Sequence, residues 1–143
     1  MNIQKTLMIF ALLLALVSCG GDDGNARAKS PHKDRVEVLY FHGKQRCATC
    51  KAIEKNTKEA LNTLFADEMK DGTVVFKIVN ITTDEGEKIA DQYEVTWSSI
   101  FVNRWKDGKE TRNDMTEFAF ANARKNPDAF KKGLADKIRQ SLK

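Results

Sequence analysis

Residues 36–54 read VEVLYFHGKQRCATCKAIE, and the folding of this stretch decides the fold of the chain. Its first six residues are rich in β-formers, with one acid near the start, which predicts a buried strand. Residues 42–46 (HGKQR) make a polar loop, and Cys47-Ala48-Thr49-Cys50 follows directly. From there Ile53, Thr57, Ala60, Leu61, Leu64 and Phe65 recur at helical spacing. A strand, a loop and a helix opening on CxxC let two thiols reach bonding distance, the first of them at a helix N-terminus. The helix end carries about half a unit of positive charge, which favours a thiolate. Lys44, Arg46 and Lys51 add charge of the same sign nearby. Cys47 is therefore expected to be the exposed nucleophile, and Cys50, one turn inside, the resolving thiol.

Working outward, Asp71-Gly72 ends the helical region, and residues 73–81 (TVVFKIVNI) predict a second buried strand. Thr82-Thr83-Asp84 offers caps for a short helix through Ile89, Ala90 and Tyr93. Residues 99–105 (SIFVNRW) form a third strand, and Lys106-Asp107-Gly108-Lys109 turns the chain into an edge strand at 110–113. A short helix over 117–124 precedes Asn126-Pro127, an N-cap with proline at the first helical position. The last helix carries Phe130, Leu134, Ile138 and Leu142 on one stripe. The order is β-α-β-α-β-β-α. The first two βα units imply parallel strands joined by right-handed crossovers, and the hairpin adds antiparallel pairing. The expected fold is α/β and thioredoxin-like, a central mixed four-stranded sheet flanked by helices.

The N-terminus reads differently. Lys5 precedes an apolar run over residues 7–17, too short for the roughly 20 residues of a membrane span and suited to a signal peptide. The run ends in Leu16-Val17-Ser18-Cys19, the pattern of a bacterial lipobox. Residues 1–18 are thus expected to be a lipoprotein signal peptide, with Cys19 acylated, by palmitate among other chains. Residues 19–33 are Gly-rich and polar, a lipidated flexible tether, and 34–143 form the domain. Asp22-Asp23 resembles the acidic surface-export signal of some Bacteroidetes lipoproteins, or is simply part of a soluble linker. The expected place is the bacterial cell envelope, lipid-anchored to a membrane and facing the periplasm or the outside. The whole chain carries 24 basic and 20 acidic residues, net +4, and loss of residues 1–18 removes Lys5 alone, leaving +3. No basic run stands beside aromatics, which argues against a nucleic-acid partner.

Three cysteines less the acylated one leave a single pair outside the cytosol, which is either a redox couple or a short structural staple. A zinc site needs about four ligands, and two histidines without a second cysteine pair do not supply them. Neither a resident metal nor a cofactor is expected, although two thiolates also suit a transiently bound soft metal or metalloid. His42 is placed to assist proton transfer at Cys47 or, more simply, to pack at a strand end. Trp97, just before the third strand, is expected to line the CxxC groove or its rim.

The run Tyr40-Phe41-His42-Gly43, Arg46-Cys47-Ala48-Thr49-Cys50-Lys51-Ala52-Ile53-Glu54, together with Tyr93-Glu94-Val95-Thr96-Trp97-Ser98-Ser99, is more specific than CxxC alone. It resembles the nitrophenyl-compound nitroreductase subunit family of thioredoxin-like bacterial proteins, over about residues 35–142. The resemblance implies Cys47 and Cys50 as the redox pair, working with a partner redox protein, in some members tied to reduction of nitroaromatic arsenicals. Thioredoxins proper differ at three points. Phe41 stands six residues before Cys47, where they bury an Asp; Gln45, Arg46, Ala48 and Thr49 replace the aromatic and Gly-Pro setting; Ser99 takes the place of a cis-proline. A non-proline cis bond costs about 3–4 kcal/mol, so the bond before Ser99 is expected to be trans. Its hydroxyl is then free to meet Cys47 or a ligand. These departures point to a dedicated redox protein, with a non-catalytic thioredoxin-scaffold adaptor as the alternative.

Overall fold

The computed structural model describes residues 33–143; the expected signal peptide, the acyl site Cys19 and the tether through residue 32 lie outside the described residues. In chain order the elements are β1 (Arg35–His42), α1 (Ala48–Leu64), α2 (Ala66–Asp71), β2 (Val74–Asn80), α3 (Asp84–Gln92), β3 (Ser99–Lys106), β4 (Lys109–Thr111), α4 (Thr116–Asn122) and α5 (Pro127–Ser141).

Every residue of β1 from Val36 to Phe41 is buried, so this strand has to lie in the middle of the sheet. The strand order is β2-β1-β3-β4. β1 runs parallel to β2, with Val36 opposite Val74 and His42 opposite Asn80. On its other side it runs antiparallel to β3, with Arg35 opposite Trp105 and Phe41 opposite Ser99. β3 and β4 close a hairpin across Asp107-Gly108, whose φ angles of 52° and 73° are both positive. That is the turn a two-residue hairpin loop prefers, and Asp-Gly adopts it at little cost.

Alternate residues of β1 feed two cores. Val36, Val38 and Tyr40 join Ile53 and Leu61 of α1, Ala119 of α4, and Phe130, Leu134 and Ile138 of α5. Leu39 and Phe41 join Val79, Ala90, Val95 and Phe101 beneath α3. Each large side chain fully buried there contributes roughly 1.5–3 kcal/mol. On the second face Phe41, Tyr93 and Phe101 pack as a trio, with ring centroids 5.3 to 5.9 Å apart. Among the described residues the result is a thioredoxin-like α/β fold, a mixed four-stranded sheet flanked by five helices.

Local signals hold where they are strong. Thr83 caps α3 by accepting the Gly86 N–H (3.1 Å), and Asn126 caps α5 by accepting that of Ala129 (3.3 Å) behind Pro127. Four expectations need correction. β2 is an edge strand rather than a buried one, because β1 takes the centre and β3 its other flank; Lys77 and Ile78 are exposed. Only one crossover joins parallel strands, since β3 returns antiparallel to β1. The first helix breaks at Phe65 (φ −135°, ψ 28°), which turns Phe65 into the core and leaves Leu64 exposed. The edge strand is shorter and earlier than expected, at Lys109–Thr111.

Candidate functional site

The loop leaving the C-terminal end of β1 delivers Cys47 to the N-cap of α1. Its backbone is extended (φ −65°, ψ 163°), and its Sγ accepts the Cys50 backbone N–H at 3.0 Å. A sulfur in this position satisfies one of the helix's free N–H donors, the geometry that stabilises negative charge there. The helix behind it is 17 residues long, and no acid in its first turn offsets its field. Cys47 and Cys50 are joined by a disulfide with Cα atoms 5.0 Å apart, within the usual span of about 4.4–6.8 Å. Cys47 is exposed, whereas Cys50 is 5% exposed and packs inward. One sulfur is thus open to attack and to attacking, and its partner is shielded.

The flanking cations divide. Arg46 ion-pairs Glu54 of α1, and its guanidinium lies 5.9 Å from the Tyr40 ring centroid. Glu54 also takes Lys58 at 2.5 Å. Arg46 therefore ties the loop to the helix, and much of its charge is balanced locally. Lys44 and Lys51 are exposed and make no ion pair among the described residues. Tyr40 and Glu54 were not singled out by sequence. Tyr40 donates its buried hydroxyl to the Cys50 carbonyl (2.8 Å), anchoring the first helical turn to β1. A tyrosine in an alternating strand reads as core alone, and the Arg46–Glu54 pair bridges loop and helix, outside any single periodicity.

His42 is half-buried, hydrogen-bonds the Gly43 carbonyl through Nδ1 (3.1 Å), and stacks on Tyr40 with centroids 6.1 Å apart. It bonds neither sulfur. Phe41 is fully buried within the aromatic trio on the α3 face of the sheet. The Ser98–Ser99 peptide is trans, as are all peptides among the described residues. Ser99 is buried and donates its hydroxyl to the Trp97 carbonyl (3.2 Å) rather than to Cys47.

Strand pairing places Ser99 opposite Phe41, so the loop entering β3 stands beside the one leaving β1. Trp97 in that loop is 59% exposed and packs on Phe120 of α4, centroids 5.2 Å apart. Trp97 and Ser99 meet at a cavity of about 470 Å³ whose lining includes neither cysteine. Behind it, Tyr93 donates its hydroxyl to Glu110, and buried Asn103 donates to both at 3.0 Å. Arg112 bonds Glu110 (2.8 Å) and lies 3.8 Å over the Tyr93 ring. Burial first, and then the bond to Glu110, push the Tyr93 phenol well above its ordinary pKa. This network fastens the short strand β4 to the end of α3.

Among the described residues no cluster of three or more His, Cys, Asp and Glu is placed to hold a metal ion, and no helix is long and apolar enough to cross a membrane.

No family model matches the chain, and no curated protein matches it either. Among solved structures it is similar to a thioredoxin from Thermus thermophilus, at 18% identity over 74% of this chain and 72% of that one, TM-score 0.47. A malarial protein aligns at 19% identity over 61% of this chain and 93% of its own, TM-score 0.40. Thioredoxin-2 of the malaria parasite, a component of its protein secretion machinery, aligns at 20% identity, covering 58% and 72%, TM-score 0.42. Likenesses this distant carry no argument about activity. The fold rests on strand order, strand direction and the placement of the helices.

Proposed function

We propose that this chain is an extracytoplasmic thiol–disulfide redox protein whose Cys47–Cys50 pair cycles between dithiol and disulfide with one dedicated partner protein. The observation that carries the reading is the asymmetric pair: an exposed Cys47 sulfur capping α1, joined to a buried Cys50. In the reduced state the Cys47 thiolate attacks a disulfide sulfur of the partner, and the partner's other sulfur leaves as a thiolate. Cys50, once deprotonated, then attacks Cys47 Sγ. The mixed disulfide breaks, the partner's second thiolate leaves, and the Cys47–Cys50 disulfide forms. Two electrons pass to the partner, and the run in reverse oxidises it. Among the described residues no carboxylate hydrogen-bonds either sulfur, so the Cys50 proton goes to solvent or to the departing thiolate.

Further parts of the reading rest on the sequence. The FHG…RCATCK block supports a place among nitrophenyl-compound nitroreductase subunits, as an electron-carrying partner and without a nitroaromatic substrate carried over. The lipobox supports attachment of the domain to a cell-envelope membrane through acylated Cys19; Cys19→Ala, followed by fractionation, should release the protein and abolish lipid labelling.

The second reading, an adaptor whose disulfide is a staple, draws on Phe41, which stands in the sequence where thioredoxins proper carry an Asp. A redox titration in glutathione and dithiothreitol buffers separates the two. A pair half-reduced between about −120 and −270 mV is a working couple, whereas one below about −300 mV is a staple. Trapping completes the test. Cys50→Ser should accumulate a mixed disulfide through Cys47 with one defined protein, and its failure to capture any would overturn the proposal.

A further inference from the structure

Apart from the disulfide, the molecule carries a cavity of about 470 Å³ between the loop entering β3 and the start of α4. Its size lies within the roughly 300–1,000 Å³ typical of small-ligand pockets. Trp97, Phe101 and Phe120 give it aromatic walls, and Glu94, Asp114 and Glu117 give it three carboxylates. No lysine, arginine or histidine lines it, although the chain as a whole is net positive.

The three acids are not neutralised by the protein. Among the described residues none makes an ion pair, and the one hydrogen bond that reaches their carboxylates is the Thr116 N–H given to Asp114 (2.8 Å). The cation on the cavity's flank, Arg112, is already engaged by Glu110, the Gln92 carbonyl and the Tyr93 ring. An anion entering here would meet three carboxylates of like charge. A neutral apolar ligand would strip water from carboxylates without replacing it. An organic cation meets both demands, through charge-assisted hydrogen bonds to the acids and a cation–π contact with tryptophan, the ring best suited to one. Trp97 is a large exposed aromatic packed on Phe120 at the cavity wall, and an occupant would cover it.

We propose that this cavity is a recognition site for an organic cation, a guanidinium, amidinium or alkylammonium group carried on an apolar flank. The group has two possible sources, a free cation or the basic side chain of a protein segment. Neither cysteine lines the site.

The test uses the full-length protein with its disulfide formed, titrated with benzamidine and with its neutral isostere benzamide. Calorimetry and Trp97 fluorescence are the readouts. Benzamidine should bind at least tenfold tighter than benzamide, with affinity falling as salt is added, and Glu94→Gln/Glu117→Gln should erase the preference. Both glutamates are exposed, so the double variant should keep its fold, which circular dichroism checks. The salt series and the isostere comparison on the unaltered protein stand without that variant. Equal affinity for the two probes, no binding of either at millimolar concentration, or an unchanged preference in a folded double variant would overturn the proposal. A last pair of titrations separates the sources. A Phe-Arg-Phe peptide binding tighter than N-acetylarginine amide assigns a protein side chain, and the opposite order assigns a free cation.

Discussion

Replacing Glu37 with glutamine removes one charge from the middle of the sheet without changing its shape. Glu37 is 3% exposed in β1; Arg35 donates to it through Nε at 2.7 Å, and Lys77 reaches it from β2 at 2.9 Å. Burial alone would raise this carboxyl, but the hydrogen bonds and charges of Lys77 and Arg35 outweigh it, and its pKa lies below the ordinary 4.5. A folded-state pKa below the unfolded one means stability that is present above the unfolded value and is lost as pH falls through the folded value. Hydrogen bonds to a charged group contribute about 1.5–3 kcal/mol, and breaking a buried pair costs up to about 3–5. Lys77 is half exposed, so its share is screened. Arg35 keeps its contact with the Trp105 ring (5.1 Å) and is not stranded. Glu37→Gln should therefore cost about 2 kcal/mol near neutral pH, or roughly 8 °C in Tm for a domain of this size. Urea unfolding of both proteins across a pH series should show the gap constant near pH ~7 and narrowing below pH ~4.5, as the wild-type carboxyl takes up its proton. A gap that stays the same at acid pH, or no gap at neutral pH, would refute the reasoning.

Glu54→Gln frees the Arg46 charge to act on Cys47, so the pH midpoint for iodoacetamide alkylation of the reduced protein should fall by a few tenths to about one unit; an unmoved midpoint would show that Arg46 does not reach the thiolate. Gly86→Ala should destabilise by about 1–3 kcal/mol, although helix propensity alone predicts a gain near 1, because the new Cβ would collide with the Asn80 backbone carbonyl. Denaturant midpoints decide the sign. Phe130→Ala should cost about 3–5 kcal/mol and weaken the near-ultraviolet dichroism, since Phe130 is fully buried among α1, α4 and the sheet; a loss under about 1.5 would mean that α5 is not part of the core.

The features legible in the sequence are those set by neighbours in the chain. The VEVLYF run, the CATC at a helix start, Asp107-Gly108 and Asn126-Pro127 each carry a local physical cause, and each stands where it was expected. Position within the sheet is different. TVVFKIVNI is as apolar as β1, and its own residues do not say that it will lie at an edge; that follows from β3 taking the other flank of β1. The break at Phe65 was hidden for a similar reason, because Leu64 and Phe65 both fit a helical stripe until tertiary packing selects one of them. Of the candidate site, the sulfur pair and its helix were readable, while the surroundings were not. The Tyr40 hydroxyl on Cys50, the engagement of Arg46 by Glu54 and the packing of Trp97 on Phe120 all arise from residues brought together by the fold.

The position of β1 also sets an order of events in the making of the protein. Tyr40 and Phe130 belong to one core yet are 90 residues apart. A chain emerging N-terminus first displays this strand, apolar on both faces, long before helix α5 exists to pack on it. Cys47 and Cys50 are three residues apart and need no such closure to find each other. In an oxidising compartment the nascent chain can thus acquire its disulfide while still unfolded. Burial of residues 36–41 thus waits on distant parts of the chain, whereas pairing of the thiols does not.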